Sequence, residues 1–202
     1  MEQFLKTLSS SAPTPGGGGA AALSGAVAAS LASMVANLTT GKKRYAAYQA
    51  EIDELLAETA ALRDALYGFI ARDAEAFEPL SRAYGIPKDA PGRDETLEAA
   101  LHAAAEVPLA LLETLTRLVP ICERLLVIGS KLAVSDVGCA AAACRSAADS
   151  AALNVYINTK LMRDRDYAAS LNARTDAALA SIDTACETIY NAVRARVKGE
   201  TA

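Results

Sequence analysis

Residues 48–69 read YQAEIDELLAETAALRDALYGF. Within them Tyr48, Ile52, Leu55, Thr59, Leu62, Leu66 and Phe69 recur alternately four and three residues apart. That spacing is the apolar seam of a long helix, and it predicts one helix from about Arg44 to Ala83. The seam continues through Asp73, Ala76 and Leu80, so a carboxylate stands where the pattern asks for an apolar side chain. A charge in that position is either paired or shifts its pKa toward the neutral form.

Upstream, a short helix is predicted from Glu2 to Ser9, broken by Ser11–Pro15 and followed by a four-glycine loop, Gly16 to Gly19. The loop feeds a helix in which Leu23, Val27, Leu31, Met34 and Leu38 share one face, while Gly25, Ala29, Ala32 and Ala36 supply small groups elsewhere. Such a helix reads as enclosed on all sides, at the centre of a bundle. Ala20 to Thr39 carries no charge and is followed by Lys42, Lys43 and Arg44, a length and flank that suit a bilayer span. Ser24, Ser30, Ser33, Asn37 and Thr39 dilute its apolarity, and burial in protein is the better reading.

Downstream, Pro87 and Pro91 mark a loop over Tyr84–Gly92. Helix resumes near Asp94 and meets Pro108 and Pro120, each predicted to kink it or start a fresh segment. Gly129 closes that run. Ser135 then reads as an N-cap and Asp136 as a first-turn residue of an Ala-rich helix reaching about Met162. A last amphipathic helix ends near Val197.

Roughly a quarter of the residues are alanine, the strongest helix former, and no period-two β-branched run occurs. The expectation is all-α: a compact bundle of long, Ala-rich helices in one domain, 1–202. A net charge of −4 with no basic stripe argues against a nucleic-acid partner. Cys122, Cys139, Cys144 and Cys186 form no C-x-x-C pair, and His102 is the only histidine. Free buried thiols, no metal centre and a cytoplasmic location without a membrane span are expected. No basic-then-apolar leader opens the chain.

Chemistry can reside in five places. Gly16, Gly17, Gly18 and Gly19 are either a turn or a backbone cradle for an anion at a helix N-terminus. Lys42 and Lys43 either complement a helix C-terminus or grip an anionic ligand. Asp73 is a buried ion-pair partner or a functional carboxylate, and Asp136 a helix-dipole residue or a base. Asn154 and Asn158, one turn apart, bond between helices or hold a ligand. Asp136 and Asn154 share a helix face but lie about 27 Å apart along the axis.

Several blocks in order resemble the formiminotransferase-cyclodeaminase C-terminal domain family. They are Ala12–Leu23, Met34–Thr39, Gly41–Tyr45, Asp73–Phe77 with Pro87 after it, Ser135–Gly138 and Asn154–Asn158. The resemblance spans nearly the whole chain and implies an all-helical homodimer that binds a tetrahydrofolate, with or without a polyglutamate tail, at or near the subunit interface. It implies no cofactor beyond that substrate. Asp73 and Asp136 are then pterin anchor or acid/base in either order, and Gly16–Gly19, Asn37, Lys42, Lys43, Asn154 and Asn158 are the substrate-binding set. Formimidoyltetrahydrofolate cyclodeaminase stands slightly ahead of methenyltetrahydrofolate cyclohydrolase, because its attacking nitrogen is intramolecular. A non-catalytic folate-binding bundle is the remaining alternative.

Overall fold

The computed structural model describes residues 1–200. Seven α-helices follow one another: α1 Glu2–Leu8, α2 Gly17–Asn37, α3 Gln49–Tyr84, α4 Arg93–Thr116, α5 Leu118–Ile128, α6 Val134–Thr159 and α7 Arg165–Lys198. Short 3-10 turns over Lys43–Tyr48 and Lys131–Ala133 lead into α3 and α6. No strand occurs among the described residues, as the alanine content predicts.

The seam on α3 forms as its spacing requires. Ile52, Leu55, Thr59, Leu62, Leu66, Phe69 and Leu80 are buried. Tyr48 instead lies exposed in the 3-10 turn before the helix. Pro108 sits inside an unbroken α4, and Pro120 falls in the first turn of α5, where its missing N–H costs least. Of the two prolines, only Pro120 starts a fresh segment. Ser135 is not an N-cap: α6 begins at Val134 out of the preceding 3-10 turn.

α2 packs chiefly between α3 and α6. Its buried residues are mostly small, Ala21, Ala22, Gly25, Ala28, Ala29, Ala32 and Ala36 among them, with Val35 the large one. A Cβ on Gly25 would lie 3.0 Å from Leu115 and 3.3 Å from Leu66, so glycine there lets leucines of α4 and α3 close onto the helix. Three residues of the predicted large face point the other way: Val27 is 44% exposed, Met34 44% and Leu38 42%. This corrects the expectation of a helix enclosed on all sides. α2 is long and apolar enough to cross a membrane by length and composition, yet more than half of it is buried inside the bundle.

Two contacts fix α6 antiparallel to α2. At one end Gly17 lies against Asn154, whose Nδ2 would be 3.1 Å from an added Cβ. At the other end the buried Thr39 hydroxyl donates to the Val35 carbonyl and accepts the Ser130 N–H at 2.8 Å. The start of α6 therefore sits beside the end of α2.

Candidate functional site

The N-terminus of α2 has no side-chain cap of its own and no acidic residue in its first turn. Unpaired N–H groups and the positive end of the helix dipole are left there. Asp73, a seam position of α3, fills that role from another helix, and its carboxylate accepts the Gly19 N–H. A Cβ on Gly18 would lie 2.0 Å from Asp73 Oδ1, so only glycine at 18 leaves room for the carboxylate. Burial pushes the Asp73 pKa above its usual value and outweighs the opposing Gly19 hydrogen bond. The seam break is thus a partly buried acid placed against a helix N-terminus.

A cavity of about 150 Å³ opens beside it, lined by Pro13, Thr14, Gly16, Gly17, Gly18, Asp73, Ala76, Phe77, Ala104, Asn154, Ile157 and Asn158. Gly17, Gly18 and Gly19 belong to the first turn of α2, with Gly16 as N-cap, so the expected glycine loop is mostly helix. Asn154 Nδ2 donates to the Ser150 carbonyl, and Asn158 Nδ2 to the carbonyls of Asn154 and Ala104. Both donors of Asn158 and one of Asn154 are engaged, and each amide keeps its Oδ1 as an acceptor. The cavity therefore combines backbone donors from α2 with side-chain acceptors from α3 and α6. It is smaller than the 300 Å³ or so that usually encloses a drug-sized ligand, so it can take only one end of such a molecule.

The remaining predicted residues lie elsewhere. Asn37, Lys42 and Lys43 are exposed at or just past the C-terminal end of α2, and Asp136 is half-buried in the first turn of α6. Twenty-one residues of α2 place that end about 30 Å from the glycines. One chain therefore does not gather all the predicted residues around a single cavity. The cationic end also holds Arg44, Tyr45 and Lys131. The Lys131 N–H donates to the Tyr45 hydroxyl at 3.2 Å and holds this phenol below its usual pKa.

Phe77, Ala104 and Ile157 line the cavity without having been singled out from sequence. Phe77 lies one helical turn after Asp73 and Ile157 one turn after Asn154, a spacing that could have flagged them. His102 is not part of the site: it bonds Glu98 at 3.2 Å and packs on the Tyr167 ring. No His, Cys, Asp or Glu group with metal-binding geometry occurs among the described residues.

A sequence model described as formiminotransferase-cyclodeaminase matches residues 1–177. The chain belongs to that family. Within it, the methenyltetrahydrofolate cyclohydrolase of Methylorubrum extorquens is 41% identical over 98% of this chain and 97% of its own length. The pig formimidoyltransferase-cyclodeaminase is 32% identical over 97% of this chain, which spans only 37% of that larger protein. The crystal structure of a formiminotetrahydrofolate cyclodeaminase from Thermotoga maritima superposes with a TM-score of 0.89 at 29% identity. It covers 98% of this chain and 96% of that one. The family thus contains enzymes of folate one-carbon chemistry, and this chain has their fold.

Proposed function

We propose that this chain is a methenyltetrahydrofolate cyclohydrolase, with Asp73 as its acid/base group. The observation that carries the chemistry is the partly buried Asp73 carboxylate facing a cavity of matched donors and acceptors. The 41% identity to a cyclohydrolase, against 32% and 29% to proteins named for cyclodeamination, supports water over an internal nitrogen as the attacking group. This reverses the order preferred from sequence. Cyclodeamination is the second reading, favoured by the likeness to the Thermotoga structure.

In the proposed reaction water attacks the methenyl carbon between N5 and N10, and ionised Asp73 takes its proton. The neutral tetrahedral adduct then breaks its bond to N5. Asp73 returns the proton to that nitrogen, and the adduct's hydroxyl proton leaves as the formyl carbonyl forms on N10. One proton is released overall. A raised carboxyl pKa brings Asp73 closer to the working pH, which suits a group that both accepts and gives a proton. Asn154 and Asn158 accept hydrogen bonds from the pterin's amino and N3 hydrogens.

The small cavity and the distant lysines are reconciled by a homodimer. Leu23, Val27, Leu31, Met34 and Leu38 make an apolar stripe along the open face of α2, half-buried to exposed. Two copies packed antiparallel through it, with the two-fold axis near Ser30, set Gly17 of one chain level with Lys43 of the partner subunit. The cationic end of each protomer then completes the other's cavity and meets the carboxylates of the glutamate tail. Asp136 comes to the same place.

The test supplies 5,10-methenyltetrahydrofolate and, separately, 5-formiminotetrahydrofolate, and follows the methenyl chromophore. Faster disappearance from the first substrate supports the cyclohydrolase. Catalysed appearance from the second, with no effect on the first, would replace it with cyclodeaminase. No change from either would leave a folate-binding bundle, to be checked with folinic acid binding.

A further inference from the structure

Three buried thiols lie outside this site, and the chemistry above uses none of them. Cys122 on α5, Cys144 on α6 and Cys186 on α7 share the main core. Burial pushes the Cys122 thiol up to about 12 and leaves it inert. Cys144 and Cys186 come together across the α6–α7 contact, between the Gly138–Val193 contact and the Arg145–Asp183 ion pair at 3.0 Å. Helix α6 offers small buried residues there, among them Gly138 and Ala141. A Cβ on Gly138 would lie 2.8 Å from Val193 of α7. Backbones that approach so closely suit a disulfide, which needs Cα atoms within about 7 Å. Cys186 also lines a hollow of about 530 Å³ between α6 and α7, together with Arg145, Ser146, Tyr190 and Arg194.

We propose that Cys144 and Cys186 are a redox-active dithiol, which a small-molecule disulfide entering the α6–α7 hollow oxidises to an interhelical disulfide.

The groups around the pair set the order of events. The Cys144 thiol donates toward Cys186 and lowers its pKa, and Arg145 adds a favourable charge; burial, Asp183 and Glu123 oppose them. Cys144 correspondingly holds its proton, the Cys186 sulfur being the main cause. Its other acceptor, the Leu115 carbonyl, is distant at 4.0 Å. Cys186, the one of the pair that lines the hollow, is therefore the attacking sulfur. Its thiolate displaces one thiolate from the small disulfide and forms a mixed disulfide. Cys144 then loses its proton, attacks the Cys186 sulfur and expels the second thiolate. Two protein thiols lose two electrons and two protons, and one small disulfide becomes two thiols. The new bond ties α6, which carries Asn154 and Asn158, to α7.

The reduced full-length protein is incubated with glutathione disulfide, acid-quenched, alkylated and digested without reductant. The expected product is a linked peptide pair holding Cys144 and Cys186, with Cys122 still fully alkylated. In Cys144→Ser the second step is blocked, and glutathione stays on Cys186. Arg145→Gln slows that adduct by about threefold or more through the weaker thiolate. Glutathione found only on the exposed Cys139, or a Cys144–Cys186 link that forms only in urea, would overturn the proposal. The wild-type digest decides the matter even if a serine variant fails to fold.

Discussion

At its N-terminal end α2 meets a partly buried carboxylate, two asparagines and no cation. At its C-terminal end lie Lys42, Lys43 and Arg44, all exposed, with Asp136 on the neighbouring helix. The first end is shaped: Gly18 has no side chain because Asp73 occupies the space one would take. The second end is more exposed, and it offers cationic charge beside a hollow of about 460 Å³ that Ser130 and Lys131 line. Chemistry that moves a proton belongs in the first place, and recognition of an anionic tail needs only the second. The 30 Å or so between them is the problem that the exposed stripe of α2 answers if two chains share it.

The largest effect should come from the shaped end. Asp73→Asn is expected to lower turnover by about 10²-fold or more, while still accepting the Gly19 N–H. Its stability should move the other way. The folded chain raises the Asp73 pKa, so between the unfolded and folded values the native state binds the extra proton. Asp73 thus contributes stability below about pH 4, which is lost as pH rises through the folded pKa. Asp73→Asn should melt no lower than wild type at neutral pH and should lose this pH dependence. A variant that loses both activity and stability would make Asp73 a structural cap alone. Gly18→Ala forces the carboxylate aside and should cost about tenfold or more in turnover with the fold retained; full activity would show that its position does not matter.

The middle of α2 comes next. Met34→Glu places a charge on the stripe and should convert dimer to monomer in sedimentation, with activity falling alongside. Unchanged sedimentation and activity would remove the stripe from the account. The lysines of the open end should give the smallest effect. Lys42→Ala is expected to raise KM severalfold with kcat preserved, more so for a polyglutamylated substrate, as loss of a uniform tail contact does. An equal fall in kcat would move Lys42 into the chemistry.

Much of this fold was legible from sequence because helix periodicity repeats along the chain. The α3 seam forms from Ile52 onward, and its one charged break, Asp73, proved to be the carboxylate of the cavity. What misled was size. The spacing in α2 reads as a helix enclosed on all sides, but helices this close bury mostly glycine and alanine, with Val35 the large exception, and Val27 and Met34 face outward. Periodicity names a face and does not say which face is inside. The site was half legible for a related reason. Gly17, Gly18, Asp73, Asn154 and Asn158 do converge. Nothing in their spacing separates them from Lys42, Lys43 and Asp136, since that depends on α6 running antiparallel to α2.

Subunit complementation tests most directly whether both ends of α2 serve one site. Asp73→Asn and Asp136→Asn protomers are each expected to be nearly inactive alone. Mixed, dissociated and allowed to reassociate, half of the dimers should be hybrid, and each hybrid has one site with both aspartates intact. Activity should then recover to about a quarter of wild type, the share that two-fold symmetry dictates. A mixture no more active than its components, or an Asp136→Asn protein fully active by itself, would contradict the shared site.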